Sequence, residues 1–216
     1  MKLKKAIALI TIIGSLIPLS IKAQESKVGV KGGLNFSNFY NKEVDDQDIR
    51  TGIQAGLFFK AALTDFVSIQ PELIYTNKGS TTKYDNFITG EGELSQKLDY
   101  IELPVLLLVN LNENLNIHAG PYFAYLLKAS IDNKSENSNF NFVEDLNEGD
   151  FERVDYGLSV GVGFEFEVLN FGLRYDYGLK EIGKDQRFTT NGSEYSSNAF
   201  KNSRNSTFSV YLGLGF

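Results

Sequence analysis

Apolar and polar residues alternate one by one in eight stretches of this chain. The last stretch shows the pattern most simply, with apolar side chains at every second position: Phe208, Val210, Leu212, Leu214 and Phe216. A period of two predicts a β-strand with one apolar face and one more polar face. The other stretches alternate in the same way and predict strands at 28–36, 53–63, 67–76, 98–109, 115–128, 154–166 and 171–179.

The connections between these strands alternate between short and long. Tight turns are predicted at 64–66, 110–114 and 168–170, and long polar loops at 37–52, 77–97, 129–152 and 180–206. Strands of about 9–13 residues with this alternation are typical of outer-membrane barrels, which have short periplasmic turns and long outer loops. The sequence therefore predicts an all-β fold, an eight-stranded antiparallel up-and-down transmembrane β-barrel with both termini in the periplasm.

The first residues of the chain do not belong to this pattern. Three lysines precede a mostly apolar run over 6–21, and Ala23 is a small residue at a plausible cleavage point. The run is short for a membrane span of about 20 residues, so we interpret it as a secretory signal peptide rather than an anchor. We expect a signal peptide at 1–23 and an outer-membrane barrel domain at 24–216, located in the cell outer membrane.

The composition narrows the possible functions. The chain has no cysteine, which excludes a disulfide scaffold and a cysteine-based zinc site. Its formal net charge is -6, and loss of the four lysines in the predicted signal peptide would leave 17 bases and 27 acids. Such an acidic chain is a poor partner for nucleic acid.

A soluble eight-stranded barrel of the lipocalin kind also alternates, but with its apolar face inward. Here the second face carries many charges, among them Lys60, Glu72, Glu102, Arg153, Asp155, Glu165, Arg174 and Asp176. Lining a soluble core with them would cost several kcal/mol for each unpaired charge. We therefore expect the apolar faces to contact outer-membrane lipid and the charged faces to line the lumen.

A barrel of about eight strands is only wide enough inside for side chains. The sequence predicts a structural charge network in this lumen, formed by Lys60, Glu72, Glu102, Glu165, Arg174 and Asp176, in which Arg174 reaches Glu72, Glu102 or Glu165. The glycines at 157, 161 and 163 leave space on one wall, and a narrow porin-like barrel that passes small solutes is therefore the alternative to a filled scaffold. Pro71 and Pro104 each remove a ladder hydrogen bond and predict bulges or local breaks in pairing.

Candidate chemistry is sparse. His118 is the only histidine, and no nucleophile is visibly paired with it, so we expect a structural role and no enzyme activity. Acidic residues cluster in the first and third loops: Glu43, Asp45, Asp46 and Asp48, then Asp132, Glu136, Glu144, Asp145, Glu148, Asp150 and Glu152. Their spacing does not match a calcium loop, so we expect solvated faces, with no metal and no cofactor.

The last strand is also a candidate assembly signal. Its final residues resemble the recognition signal of the barrel-insertion machinery, with the contributing side chains at Tyr211, Leu212, Leu214 and Phe216. We expect this machinery to be a partner during assembly and the folded barrel to be a monomer.

Four motifs carry a resemblance to a known family. They are VGVKGGLNFS at 28–37, SIQPELIYTNKG at 68–79, YIELPVLL at 100–107 and HAGPY at 118–122. Together they resemble the PorT-like outer-membrane β-barrel domain. The resemblance implies a small barrel in a Gram-negative outer membrane, with no catalytic residues. It favours a structural or interaction scaffold with long surface loops and an envelope protein partner, in an envelope or secretion assembly.

Overall fold

The computed structural model describes residues 26–40, 48–86, 90–135, 142–145, 152–183, 186–190, 193–197 and 203–216, so the predicted signal peptide lies outside them. These residues contain eleven strands: β1 (Lys27–Tyr40), β2 (Asp48–Ala62), β3 (Val67–Asn86), β4 (Gly90–Asn110), β5 (Leu115–Ser135), β6 (Phe142–Asp145), β7 (Val154–Phe166), β8 (Leu169–Gly178), β9 (Gln186–Thr190), β10 (Ser193–Ser197) and β11 (Arg204–Gly215). In this part of the chain, no helix is long and apolar enough to cross a membrane.

Eight of these strands close into one ring in the order β1, β2, β3, β4, β5, β7, β8 and β11. All neighbours in the ring are antiparallel, and β11 closes it by pairing with β1 from Gly29–Gly215 to Tyr40–Arg204. The short β6 pairs with β5, and β9 and β10 form a separate hairpin. The predicted eight-stranded antiparallel barrel is confirmed.

The two faces of the barrel have opposite character. Exposed apolar side chains cover the outside, as Leu34 on β1, Leu103 on β4 and Leu212 on β11 show. The lumen is lined mainly by buried polar and charged side chains, such as Asn35 and Arg174. A soluble barrel has the reverse arrangement, so the structure agrees with the predicted membrane-facing pattern and excludes the lipocalin alternative.

Three tight turns lie at one end of the barrel, which we call the turn end, and the opposite end is the loop end. Between β2 and β3, the Thr64 hydroxyl accepts hydrogen bonds from the N–H groups of Phe66 and Val67, at 3.3 and 3.0 Å. Between β4 and β5, Asn112 Oδ1 accepts two backbone N–H groups, each at 2.9 Å. Glu167 has a φ of 52° in the turn between β7 and β8. In the first two turns, these local hydrogen bonds to side chains help to reverse the chain within a few residues.

Aromatic residues form two belts around the outside of the barrel. The first lies on the side of the barrel towards the loop end, and we call it the tyrosine girdle: Tyr40, Tyr75, Tyr125, Tyr156 and Tyr175. The second lies near the turn end, and we call it the phenylalanine girdle: Phe59, Phe66, Phe166, Phe171 and Phe216. Aromatic side chains are enriched where hydrocarbon meets headgroups. The two girdles therefore mark the limits of the membrane-spanning band.

Three strands are much longer than predicted, because β3, β4 and β5 have 20, 21 and 21 residues. The loop predicted at 77–97 is wrong, since β3 and β4 continue through it and pair as far as Asn86–Gly90. The first part of the predicted loop at 129–152 is also strand, because β5 continues to Ser135 between β4 and β6. The other two predicted loops also contain strand residues, at the end of β1, the start of β2, β9, β10 and the start of β11.

This additional sheet projects beyond the tyrosine girdle, and we call it the sheet extension. It consists of residues 48–49 of β2, 77–86 of β3, 90–99 of β4, 128–135 of β5, and β6. Hydrogen bonds between neighbouring strands hold it together, so it is a continuation of the barrel wall.

The mid-strand prolines disturb the sheet only locally. The β3–β4 register is the same on both sides of Pro71, and the β4–β5 register is the same on both sides of Pro104. Register shifts occur elsewhere, at Asp99 between β4 and β5, and between Ile49 and Gln54 on β2. Bulges bend and twist a sheet, and both shifts lie where the sheet extension leaves the barrel.

Candidate functional site

Three charged side chains meet in the middle of the lumen, and we call them the central ion cluster: Lys31, Glu72 and Arg174. The Arg174 guanidinium donates two hydrogen bonds to the Glu72 carboxylate, at 2.7 and 2.8 Å. Lys31 Nζ lies 3.1 and 3.2 Å from the same two oxygens, and Gln70 Nε2 donates to one of them at 2.7 Å. The three charged residues are at most 5% exposed. The cluster therefore ties β1, β3 and β8 together across the lumen.

Tyr211 covers one side of this cluster. The Lys31 Nζ lies 3.8 Å from the centroid of the Tyr211 ring, and the central guanidinium carbon of Arg174 lies 5.3 Å from it. The negative face of an aromatic ring stabilises a nearby cation. Of the predicted assembly residues, Tyr211 thus faces the lumen, whereas Leu212, Leu214 and Phe216 are exposed on the outside.

A second ion pair lies beside the central cluster. Lys78 Nζ donates a hydrogen bond to Glu102, and both side chains are almost fully buried. Asp176 accepts a hydrogen bond of 2.5 Å from Ser159 Oγ and is close enough to interact electrostatically with Lys78 and Arg174. Together with the central ion cluster, these residues comprise three bases and three acids. Each of these six buried charges therefore has a neighbour of opposite charge.

The remaining predicted pair lies apart from these groups, at the turn end. Lys60 Nζ donates to Glu165 Oε1 at 2.6 Å, and Asn116 Nδ2 donates to the same oxygen at 3.2 Å. The Lys60 and Glu165 side chains are 12% and 20% exposed, and they border an open cavity of about 260 Å³. The six predicted network residues thus occupy two separate levels of the barrel.

Two bases of the lumen network, Lys31 and Lys78, are not among the predicted residues. Lys31 lies on the predicted polar face of the first strand. A basic residue on a lumen-facing position was the signal that could have placed it in the predicted network. Lys78 fell within the predicted loop at 77–97 and had no such signal. These two lysines take part in two of the three hydrogen-bonded ion pairs in the middle of the lumen, Lys31–Glu72 and Lys78–Glu102, and the third pair joins Arg174 to Glu72.

An apolar layer closes the lumen towards the loop end, and we call it the loop-end plug. It comprises Phe39, Leu98, Tyr100, Tyr122, Ala124, Leu126, Ala129 and Ile182, each at most 4% exposed. Ile182 comes from the connection after β8. Its N–H donates to the Ser203 carbonyl and its carbonyl accepts from the Glu152 N–H, each at 2.9 Å. The plug separates the buried ion pairs from the loop end.

The glycines predicted to leave space on one wall instead face occupied positions. A Cβ added at Gly157 would lie 2.6 Å from the Tyr122 ring, and one at Gly161 would lie 2.5 Å from His118 Nε2. A Cβ at Gly163 would lie 2.9 Å from the Asn116 amide. Side chains of β5 therefore fill the space beside all three glycines.

His118 is a buried lumen residue, at 3% exposure. Its Nδ1 lies 3.2 Å from Asn116 Oδ1, and its ring centroid lies 6.3 Å from that of Tyr211. Its Nε2 has no hydrogen-bond partner among the residues that the structure describes. In the described part of the chain, no hydroxyl is hydrogen-bonded to the imidazole.

A charged cleft runs along the sheet extension, on the face that continues the lipid-facing side of the barrel. The β3–β4 register is unbroken from Tyr75–Ile101, on the outside of the barrel, to Lys83–Glu93 in the cleft. The cleft has a volume of about 570 Å³. Its lining includes five bases and five acids: Arg50, Lys83, Lys97, Lys128, Lys134, Asp48, Glu93, Asp99, Asp132 and Asp145.

Several of these charges are paired with each other. Lys83 lies 3.0 Å from Asp48, and Lys128 lies 2.8 Å from Asp145. These hydrogen bonds raise the pKa of both lysines from the usual range, so both amines are charged at neutral pH. Exposed pairs of this kind contribute little to stability.

Only part of the predicted acidic loop clusters lies within the described residues. Glu43, Asp45, Asp46, Glu136, Glu148 and Asp150 lie outside the described residues. Of the others, Asp48 and Asp145 pair with lysines in the charged cleft, and Glu152 pairs with Lys180 at 2.7 Å. Within the described ranges, no group of three or more acidic or histidine side chains is arranged to hold a metal ion.

Several solved structures have a similar architecture. Ail, the attachment invasion locus protein of Yersinia pestis, has 10% sequence identity and a TM-score of 0.46, over 89% of this chain and 99% of that chain. Neisserial surface protein A has 12% identity and a TM-score of 0.48, over 88% and 97%. The outer membrane protease OmpT from Escherichia coli has 9% identity and a TM-score of 0.42, over 92% and 98%. A shared architecture at such identities does not imply a shared function.

The family of this chain follows from its sequence. A comparison with curated proteins found no match. Residues 22–183, however, match the family described as "Outer membrane protein beta-barrel domain", and this match covers most of the chain. With its closed ring of eight strands, polar lumen and outward apolar belt, the chain belongs to the outer-membrane protein β-barrel domain family.

Proposed function

We propose that this protein is a sealed barrel that acts as a structural scaffold and presents the sheet extension to another envelope protein. The observation that carries this proposal is the length of β3, β4 and β5, which is about twice the 9–11 residues that a membrane strand needs. Residues beyond the membrane serve no spanning role. A hydrogen-bonded sheet holds its side chains in fixed positions, which suits a binding surface.

The contents of the lumen support a barrel that does not conduct. The central ion cluster, the Lys78–Glu102 pair and the loop-end plug follow one another along the barrel axis, and their side chains are buried. A porin needs a continuous aqueous path, whereas a barrel of about eight strands has room only for side chains. The filled glycine wall likewise favours the scaffold over the narrow porin-like alternative.

The distribution of turns supports an orientation with both termini in the periplasm. All three tight turns lie at the turn end, together with the start of β1 and the end of β11. Outer-membrane barrels place their short turns in the periplasm. In this orientation, residues 1–23 are the export signal and the sheet extension faces the cell exterior.

The PorT-like motifs support a place in an envelope or secretion assembly. Two of them, QPEL and IELP, lie side by side on β3 and β4 and supply Glu72 and Glu102 to the lumen. The isolated His118 supports a role without enzyme activity. We place the folded protein as a monomer, with the exposed Leu212, Leu214 and Phe216 as the surface that the barrel-insertion machinery reads.

Conductance in a planar lipid bilayer tests the sealed barrel. Purified wild-type protein, shown to be folded by its heat-modifiable migration on gels, is expected to give no steady channels. Stable, porin-like current steps from the folded protein would overturn the sealed barrel and favour the transport alternative.

Site-specific photo-crosslinking in native outer membranes tests the interaction role. A crosslinker at Glu93, exposed in the charged cleft, is expected to capture a defined envelope protein. The matched control is Glu113, which is exposed in the turn between β4 and β5. The absence of a product at Glu93, or the same products at both positions, would contradict the proposed interaction surface.

A further inference from the structure

The charged cleft begins where the apolar surface ends. On β3, Tyr75 of the tyrosine girdle is followed on the same face by Asn77, and on β4 the change from Ile101 to Asp99 occurs opposite these residues. Alternate residues on a strand are about 7 Å apart. The headgroup region extends about 5–7 Å beyond the hydrocarbon on each side. The first side chains of the cleft therefore lie at the depth of lipid headgroups.

The floor of the cleft is polar and shielded from solvent. Thr81, Asp99 and Ser130 are each at most 9% exposed, although they lie on the outer face of the sheet. Asn77 Nδ2 donates a hydrogen bond of 2.5 Å to Asp99 Oδ1, which orients that carboxylate. A polar floor below a lipid-facing rim favours a polar ligand attached to a lipid.

Basic side chains around this floor have donor capacity to spare. Arg50 Nη1 is buried and has no hydrogen-bond partner among the described residues. Lys97 Nζ is 3.8 Å from Asp99 Oδ1, which is beyond hydrogen-bond distance, and its side chain is 39% exposed. Lys128 pairs with Asp145 at 2.8 Å, which uses one of its three N–H donors, and its side chain is 52% exposed. Unpaired guanidinium and ammonium donors next to a membrane attract phosphate groups, and arginine binds them with a planar fork.

We propose that the charged cleft binds the phosphorylated headgroup of an outer-leaflet lipid through Arg50, Lys97 and Lys128. A lipid is favoured over a soluble anion because the cleft is continuous with the face that contacts acyl chains. The aspartates between the bases restrain the basic side chains. They also repel anions whose phosphates are not spaced to reach the three bases. The proposal rests on the proposed orientation, which places the sheet extension beside the outer leaflet.

Lipid binding by the purified, folded full-length protein in neutral detergent tests this proposal. Native mass spectrometry with diphosphorylated lipid A gives the affinities of the wild type and of a variant with Arg50→Gln, Lys97→Gln and Lys128→Gln. We expect the variant to lose at least about tenfold in affinity, which corresponds to about 1.4 kcal/mol. Lipid A without phosphates should bind the wild type at least about tenfold more weakly. Lys180→Gln, at the same end but outside the cleft, should bind like the wild type.

Three results would overturn the proposal. They are wild-type affinity in the triple variant, equal binding of lipid A with and without phosphates, and displacement of lipid A by an equal concentration of inorganic pyrophosphate. The last result would identify a site for free phosphates. If the triple variant lacks the heat-modifiable migration of folded protein, Lys97→Gln alone is measured, and unchanged affinity then counts against the cleft.

The outcome is independent of the tests of the sealed barrel. A conducting wild-type barrel that binds phosphorylated lipid A would end the sealed-barrel proposal and retain the lipid site. A sealed barrel with no preference for phosphates would do the reverse.

Discussion

Glu72→Gln is expected to be the most destabilising single substitution in the central ion cluster. Glu72 is 2% exposed and is the common acceptor of Arg174 and Lys31. Glutamine keeps the shape of the side chain but leaves two buried cations next to each other without their shared anion. Removal of one partner from a buried ion pair costs about 3–5 kcal/mol. Because two cations lose the same partner, we expect the free energy of unfolding to fall by about 4 kcal/mol or more.

The contrasting substitution is Lys31→Met. It removes one cation and leaves the two hydrogen bonds between Arg174 and Glu72, at 2.7 and 2.8 Å. Methionine retains much of the apolar stem, so we expect a loss of about 1–2 kcal/mol. The combination of Glu72→Gln with Lys31→Met should cost less than the sum of the two, because one of the unpaired cations is then absent.

Because the chain has no tryptophan, tryptophan fluorescence cannot follow its folded fraction, and migration on gels is used instead. Protein reconstituted in lipid vesicles is incubated in a urea series, and the heat-modifiable band shift on gels gives the unfolding midpoint. Glu113→Gln, on the exposed turn between β4 and β5, is the matched control and should leave the midpoint unchanged. A wild-type midpoint for Glu72→Gln would show that water screens the cluster. An equal loss for Lys31→Met would contradict the role of Glu72 as the shared anion.

Four further substitutions test other parts of the fold by the same urea series. Asn112→Ala removes the acceptor of two backbone N–H groups and should cost about 1 kcal/mol with no change in the migration of the folded band. Lys60→Met breaks the partly exposed pair with Glu165, and a loss above about 1 kcal/mol would contradict the solvent screening expected there. Gly161→Ala should be more destabilising than Gly163→Ala, because a Cβ at Gly161 would lie 2.3 Å from a backbone carbonyl, whereas at Gly163 the nearest atoms belong to a side-chain amide; the reverse order would contradict this account.

The strands of the membrane band were predictable because lipid and lumen impose opposite chemistry on alternate residues. Ile101, Leu103 and Val105 lie on the outer face of β4, where Leu103 and Val105 are exposed, so Glu102 between them faces inward. Beyond the tyrosine girdle, the outer face of the sheet carries polar and charged residues, and the inner face has both polar residues and apolar ones such as Leu98 and Ala129 of the loop-end plug. Lys83 lies between Thr82 and Tyr84, and Glu93 lies between Gly92 and Leu94, so a regular alternation of apolar and polar residues is no longer visible. For this reason the sequence predicts loops where the sheet extension continues.

The candidate site was predictable only to the level of faces. Alternation places Glu72, Glu102 and Arg174 on the lumen side, but it does not determine which pairs form. Which charged residues pair with each other depends on the stagger between strands. This stagger brings Arg174 of β8 across the lumen to Glu72 of β3. Lys78 pairs with Glu102 only because β3 continues as a strand beyond its predicted end.

The two aromatic girdles also determine which bilayers the barrel fits. On β5, outward apolar residues extend from Ile117 to Leu127, about ten residue steps, or roughly 33 Å along the strand. With a tilt of about 35–45°, this length corresponds to a band about 25 Å tall. A typical bilayer has a hydrocarbon core of about 30 Å, and the bacterial outer membrane is thinner than average. Bilayers of lipids with short acyl chains therefore accommodate this barrel without distortion. Bilayers of lipids with longer acyl chains must become thinner around it, and the free-energy cost increases with each ångström of mismatch.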